Sequence, residues 1–281
     1  MQIGRMKRNA GLFRRFTGLE VHQFDDLVLK LEPVYAENET RRLKKPHRQR
    51  KIGGGSQFSH SLEERLLMLL LYYKLYVTHE FLGLLFNLDN ANISRSIRHL
   101  SPLLARIFKV PERRIRLSEK EKDELLYFFI DGTEQPINRP KKGQKKYYSG
   151  KKKRHTMKFQ IVTPDGKKIA AVSKSHYGKT HDKKIYDETR VVRPPGSRGV
   201  GDTGYLGTNL VQPVKKAKGK ELTKAQKKYN RKISKLRIRA EHVIAAMKHF
   251  RVVRDVFRNP RHTHNLYVKN VAGLVNFAIA A

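Results

Sequence analysis

The chain has no cysteine among its 281 residues. Disulfides and thiolate metal sites are excluded, and a reducing interior is compatible with that. Acidic residues are scarce, with 25 Asp and Glu against 61 Lys and Arg, for a formal net charge of +36. Long hydrophobic runs are also missing. The densest, Leu66 to Tyr73, is far too short to cross a bilayer. The start, MQIGRMKRNAGLFRRF, is basic and lacks an apolar h-region, so no secretory signal is expected. Apolar residues make up 38 %, enough for a core though below the globular average. Such a charge calls for a polyanionic partner. Nucleic acid leads, and an anionic membrane surface is the weaker alternative. The length fits one large or two modest domains.

The order of segments is readable. Residues 1–60 look like a basic N-terminal arm and linker. RRLKKPHRQRKIGGGS (41–56) combines a charge run with three glycines and serves either as a strap along DNA or as a solvated tether. Residues 61–118 read as a helical domain. Ser61 and Glu64 have capping-box spacing ahead of LLMLLLYYKLY. Thr78 can cap HEFLGLLF, and Asp89 or Asn90 can cap ANISRSIRHLSPLL. Helix, tight turn, helix is the helix-turn-helix pattern, and an ordinary three-helix bundle is the competing reading. In the first reading Asn90, Asn92, Ser94, Arg95 and Arg98 face bases or phosphates.

From residue 119 the expected unit is a mixed α/β domain. LLYFFID reads as a central strand that ends at Asp131. HTMKFQIVT and KKIAAVSKS flank a Pro-Asp-Gly turn at 164–166, a hairpin signal. THDKKIYDETR reads as a helix begun by Thr180 or Asp182. A weak strand precedes Asp202, and NLVQPV is a further strand candidate. A long helix is expected from about Leu222 to Phe250. Its apolar stripe is Tyr229, Ile233, Leu236, Ala240, Ile244 and Met247. At roughly 100° per residue, Arg237, Glu241 and Lys248 project from nearly one line beside that stripe.

Three carboxylates then need a reason. Asp131 ends a strand, Asp202 precedes a glycine turn in GDTGYLG, and Glu241 is expected to face inward. Each has a plain alternative: Asp-Gly is ordinary turn chemistry, and Glu241 can pair with Arg237 one turn earlier. Taken together they suit a site for Mg²⁺ or Mn²⁺, which prefer carboxylate oxygens. Two such ions about 4 Å apart can activate a hydroxyl and stabilise the leaving oxygen of a phosphodiester.

With these residues in place, the chain resembles a DDE-type insertion-sequence transposase of the bacterial group akin to Harbinger-like elements. The matching stretches are DGTEQPI (131–137), YYSGKKKRHTMKFQ (147–160), HD at 181–182, GDTGYLG (201–207), and Arg237, Glu241 and Lys248 on the long helix. The likeness spans roughly residues 61–255. It implies an RNase H-like catalytic domain over 119–281 with a mixed five-stranded sheet, preceded by the helix-turn-helix over 61–118. It implies Mg²⁺-dependent endonuclease and strand-transfer activity at Asp131, Asp202 and Glu241, with two Mg²⁺ or Mn²⁺ ions held by the same three residues. The partners implied are the element's terminal inverted repeats and target DNA, with a homodimer formed or stabilised on DNA and no membrane. The expected place is the bacterial cytoplasm, with the nucleoid.

Lys248 becomes a candidate phosphate contact, and Arg237 a residue that orients Glu241 or touches DNA. His181 and Asp182 are near-site candidates, with a helix cap as the alternative. Residues 141–155 hold eight Lys or Arg, with Tyr147 and Tyr148 between them. Lys151, Lys152, Lys153 and Arg154 either clamp a DNA strand or form a solvated charge run. Ser234 stands where related transposases often carry a Tyr, and no long insertion separates Asp202 from Glu241. Two other functions remain open, a non-catalytic DNA-binding regulator and a basic RNA-associated protein.

Overall fold

The computed structural model describes residues 3–44, 47, 49, 51, 58–115, 126–164, 166 and 168–280. The chain divides into two compact units, residues 1–109 with 250–252 and 280–281, and residues 110–249 with 253–279. The expected boundary at 118/119, most of the glycine linker and the tip of the 164–166 turn lie outside the described residues. Among those described, no helix is long and apolar enough to cross a membrane.

The first unit is helical: α1 (Ile3–Lys7), α2 (Ala10–Thr17), α3 (Val21–Leu43), α4 (Leu62–Leu75), α5 (His79–Phe86) and α6 (Asn90–Phe108). Residues 3–43 therefore do not form the arm expected from their charge. Phe13, Leu19, Phe24, Leu27 and Leu31 are fully buried, and Phe13 packs edge-on to Phe24 with centroids 5.3 Å apart. Burial of these side chains outweighs the repulsion among cations that stay on the outer face. Ser61 caps α4 in a reciprocal capping box with Glu64, as its spacing predicts. Thr78 caps α5 and Asp89 caps α6, each accepting from the third residue on. Between α5 and α6 the chain reverses within three residues through Asn87 in the left-handed region. Gly83 permits that reversal, since a Cβ there would lie 2.4 Å from the Leu88 carbonyl oxygen.

Among the described residues the second unit is built on a mixed six-stranded sheet, one strand more than expected. Its strands are β1 (Tyr127–Pro136), β2 (Tyr148–Ser149), β3 (Arg154–Thr163), β4 (Ala171–Val172), β5 (His176–Tyr177) and β6 (Arg198–Val200). The order is β2-β3-β1-β6, with β4 and β5 also paired to β3. β1 runs antiparallel to β3 and parallel to β6. KKIAAVSKS yields only the two-residue strand β4, and β5 follows just beyond it. The Ser173 hydroxyl takes the Gln160 N–H at 2.9 Å, a side chain standing in for a ladder partner. NLVQPV gives only a single bridge, Val200 to Val211, because Pro213 has no N–H to continue the ladder.

Both faces of the sheet are covered. Phe128, Ile130 and Val162 pack with Tyr205 and Leu210 on one side. Phe129 and Val200 pack with Ile233 and Ala240 of the Lys224–Lys248 helix on the other. That helix opens with a Thr223–Gln226 capping box. The Asp182–Thr189 helix is capped by His181, not by Thr180 or Asp182.

Candidate active site

The strand register brings two of the three carboxylates together. β1 pairs in parallel with β6 through Phe129 opposite Val200. Asp131 and Asp202 each lie two residues beyond that last pair. Side chains alternate along an extended chain, so Asp131 shares a face with Phe129 and Asp202 with Val200. Asp202 keeps an extended backbone, at φ −86° and ψ −178°. That face is the one packed on Ile233 and Ala240, and Glu241 follows Ala240 on the same helix. Hydrophobic packing thus carries Glu241 towards the pair. Asp131 does not end its strand, as its Asp-Gly context suggested. β1 continues to Pro136, and only the pairing with β6 stops short.

The electrostatics agree with this placement. Asp131 is pushed up to about 6, chiefly by burial and further by Asp202 and Glu241, against the pull of Arg237 and the Gly132 N–H. That N–H donates to Asp131 Oδ1 at 2.8 Å, and the Gly204 N–H donates to Asp202 Oδ1 at the same distance. Arg237 therefore faces Asp131, and it forms no ion pair with Glu241 among the described residues. Glu241 itself is exposed, at the rim, instead of facing inward as its place beside the apolar stripe suggested. One residue past Ala240 is a rotation of about 100° out of the buried line. Burial holds Lys248 below the usual lysine range and Lys152 adds to that, while Asp131 opposes both. The hairpin carrying Lys152 thus reaches the same neighbourhood.

Asp182, a near-site candidate from its sequence, does reach the site, and two groups that composition and spacing left unread, Lys158 and Tyr205, lie with it. The side chain of Asp182 approaches the site from the Asp182–Thr189 helix. A Cβ on Gly132 would stand 2.9 Å from its Oδ1, and one on Gly204 would stand 3.2 Å from its Oδ2. Lys158 lies 3.3 Å from that carboxylate and 3.4 Å from Glu134, all three side chains being largely buried. The Tyr205 hydroxyl is fully buried and has no hydrogen-bond partner. Burial raises its pKa well above the tyrosine range, and Asp182, Asp131 and Asp202 raise it further. His181, the other residue of the His-Asp pair, stays exposed and accepts the Lys183 N–H as a cap. A lone Lys within an apolar strand, Lys158, was the signal in the sequence for a buried acidic partner.

Among the described residues, no three His, Asp or Glu side chains are assembled as a ready cage for a metal ion. The donor chemistry nevertheless fits a hard divalent cation. The donors are all oxygen, Asp131 is raised in part by its acidic neighbours, and the Tyr205 hydroxyl is buried without a hydrogen-bond partner, while Asp182 Oδ1 has the Lys158 ammonium at 3.3 Å. A cation among them would relieve the mutual repulsion.

The helix-turn-helix residues occupy the start of α6. Asn90, Arg95 and Arg98 are exposed, with Asn92 and Ser94 half-buried. They are pre-set by local bonds: Asn90 donates to Glu80 at 2.8 Å, Asn92 to Asp89 at 2.8 Å, and Arg95 to Asn92 at 2.7 Å. Arg98 donates to the Ser94 carbonyl at 3.3 Å. Lys151, Lys152, Lys153 and Arg154 are exposed on the β2–β3 hairpin, an ordered turn in which the Lys152 N–H donates to Ser149 Oγ at 3.2 Å.

The sequence model of a family described as DDE superfamily endonuclease matches residues 130–276. One described as helix-turn-helix of DDE superfamily endonuclease matches residues 61–109. The chain is 31 % identical over 289 aligned positions to "Probable transposase for insertion sequence element IS702" of Microchaete diplosiphon, covering 100 % of this chain and 99 % of that protein. It is 28 % identical to "Putative transposase for insertion sequence element IS112" of Streptomyces albus G, over 85 % of this chain and 84 % of that one. No solved structure matches.

Proposed function

Because the chain belongs to the DDE superfamily of endonucleases, and its curated relatives bear insertion-sequence transposase names, we propose that it is a transposase acting on the ends of its own mobile element. It binds those ends through α5 and α6 and cleaves and joins DNA at Asp131, Asp202 and Glu241. The observation that carries this reading is the parallel register of Phe129 with Val200, which sets Asp131 level with Asp202 on the face covered by the helix bearing Glu241.

Asp131, Asp202 and Glu241 would hold two Mg²⁺ or Mn²⁺ ions. When bound, these supply an activated hydroxyl and charge neutralisation at the leaving oxygen. The protein's own groups do the rest. Asp131 is largely ionised at neutral pH, since its pKa of about 6 lies below it. Arg237 offsets part of its charge. Lys248 and Lys152 draw the phosphate backbone towards an acidic cluster that alone would repel it. Lys151, Lys153 and Arg154 extend that basic surface along the hairpin.

Joining two element ends requires both to be held at once, so a homodimer formed or stabilised on DNA belongs to this reading, as does a bacterial cytoplasmic, nucleoid-associated location. A supercoiled plasmid bearing the DNA that flanks the gene tests it. Nicking that depends on Mg²⁺ is the expected result. A sequence-specific gel shift without nicking would make the protein a regulator instead.

A further inference from the structure

Two grooves in the second unit meet at Arg139 and contain no acidic residue. One, of about 630 Å³, is lined by Arg139, Lys145, Lys179, Tyr148 and His155 among others. Its neighbour, of about 760 Å³, includes Lys141, Arg258 and Arg261. Arg139 stands in the wall common to both, held by a bond from its Nε to Gln144 Oε1 of 2.9 Å. The cations line a path for phosphates, and the first groove has the size of a small-molecule site.

The aromatic residues decide what else it takes. Tyr147 is already engaged: its ring meets Tyr177 edge-on at 4.9 Å, and the Arg261 guanidinium covers it at 4.9 Å. Tyr148 is different. It touches His155 edge-on at 5.7 Å and keeps 42 % of its surface exposed, with its ring bordering the groove. An exposed ring edged by an imidazole and flanked by three cations is the arrangement that stacks a base while neutralising its phosphate. The groove also has a defined place relative to the carboxylates. On β3, His155 lies six residues from Ile161, the partner of Asp131. At about 3.4 Å per residue that is roughly 20 Å. The same distance corresponds to about six steps of a duplex strand at ~3.4 Å each.

We propose that this groove is a subsite for one unpaired nucleotide of the DNA, its base stacked on Tyr148 and its phosphate held by Arg139, Lys145 and Lys179. The inference rests on the DNA-processing reading above and adds to it a place where the duplex is opened, on the order of six nucleotides from the phosphate at Asp131.

The test compares two duplexes of one sequence, one fully paired and one with a single bulged 2-aminopurine, in metal-free buffer with the full chain. Tight binding of the bulged duplex is expected, by roughly 5- to 140-fold over the paired one, from a base–aromatic stack. The fluorescence of 2-aminopurine should be quenched on binding. Tyr148→Ala should abolish both the preference and the quenching, and Tyr148→Trp should retain them. Arg139→Ala with Lys145→Ala should weaken both duplexes. Equal affinity of the wild type for the two duplexes, or a preference that survives Tyr148→Ala, would overturn the proposal. Neither result would touch Mg²⁺-dependent nicking, which depends on the carboxylates.

Discussion

Asp131 should weaken the fold that presents it. Its carboxyl is raised from 3.8 to about 6, first by burial and then by Asp202 and Glu241. A raised carboxyl pKa means that the folded state prefers the protonated form. The folded protein is therefore penalised as pH rises from about 3.8 through about 6, and the penalty is complete by pH 7. At 1.36 kcal/mol per unit the cost reaches roughly 3 kcal/mol, as an upper bound. Asp131→Asn keeps an oxygen for the Gly132 N–H and removes the charge. In EDTA at pH 7.5 the variant should be more stable than the wild type, by up to about 3 kcal/mol or on the order of 1 M in urea midpoint. At pH 5 the gain should shrink to about half, because most of the Asp131 population is then protonated in the fold. Far-UV circular dichroism can follow the transition, as the chain has no tryptophan. A loss of stability at pH 7.5, or a gain that does not change with pH, would refute the reasoning and leave Asp131 as an ordinary strand residue.

Gly83→Ala should cost the first unit about 1–3 kcal/mol, because the new Cβ meets a backbone oxygen that cannot move aside. Its melting temperature and its affinity for element ends should fall together. Arg95→Ala and Arg98→Ala should weaken binding to element ends far more than to random DNA. A bidentate base contact discriminates by about 1–3 kcal/mol, and equal losses in a competition assay would reassign both residues to the backbone. Replacing Lys151, Lys152 and Lys153 by Ala should reduce strand transfer more than end binding. It should also flatten the log–log salt slope by about 0.9 for each phosphate that is no longer neutralised, and an unchanged slope would return the hairpin to solvated charge.

The parts legible in the sequence were those set by local chemistry. Ser61, Thr78 and Asp89 each stand at a helix start where a hydroxyl or carboxylate satisfies free N–H groups. The α5–α6 turn followed from these caps and the long helix from its apolar stripe, while the Thr223–Gln226 capping box that opens it went unread. What escaped depended on packing between distant residues. Residues 3–43 read as an arm because cations hide the helical spacing of Phe24, Leu27 and Leu31, and only packing shows that this face is covered. The extension of β1 past Asp131 is fixed by its pairing with β3 as far as Thr156, which no local signal around Asp-Gly announces.

At the site, the level of Asp131 with Asp202 follows from the register of two strands some seventy residues apart, so the sequence suggested the grouping through the scarcity and setting of its acidic residues but could not give the register. Asp182 was visible as half of a His-Asp pair, but its role had to be separated from that of His181 by which of the two turns inward. Tyr205 gave no signal at all beyond its glycine-rich setting, because an unpartnered hydroxyl is a property of the folded interior.

The central claim is that Asp131, Asp202 and Glu241 form one metal-dependent DNA-cleaving site, and the direct measurement is plasmid nicking by Asp131→Asn, Asp202→Asn and Glu241→Gln beside an end-binding assay on the same preparations. Each variant should lose Mg²⁺-dependent nicking and bind element ends as well as the wild type or slightly tighter, since a charge that repels phosphate has gone. Retained Mg²⁺-dependent nicking in any one of the three would contradict the account.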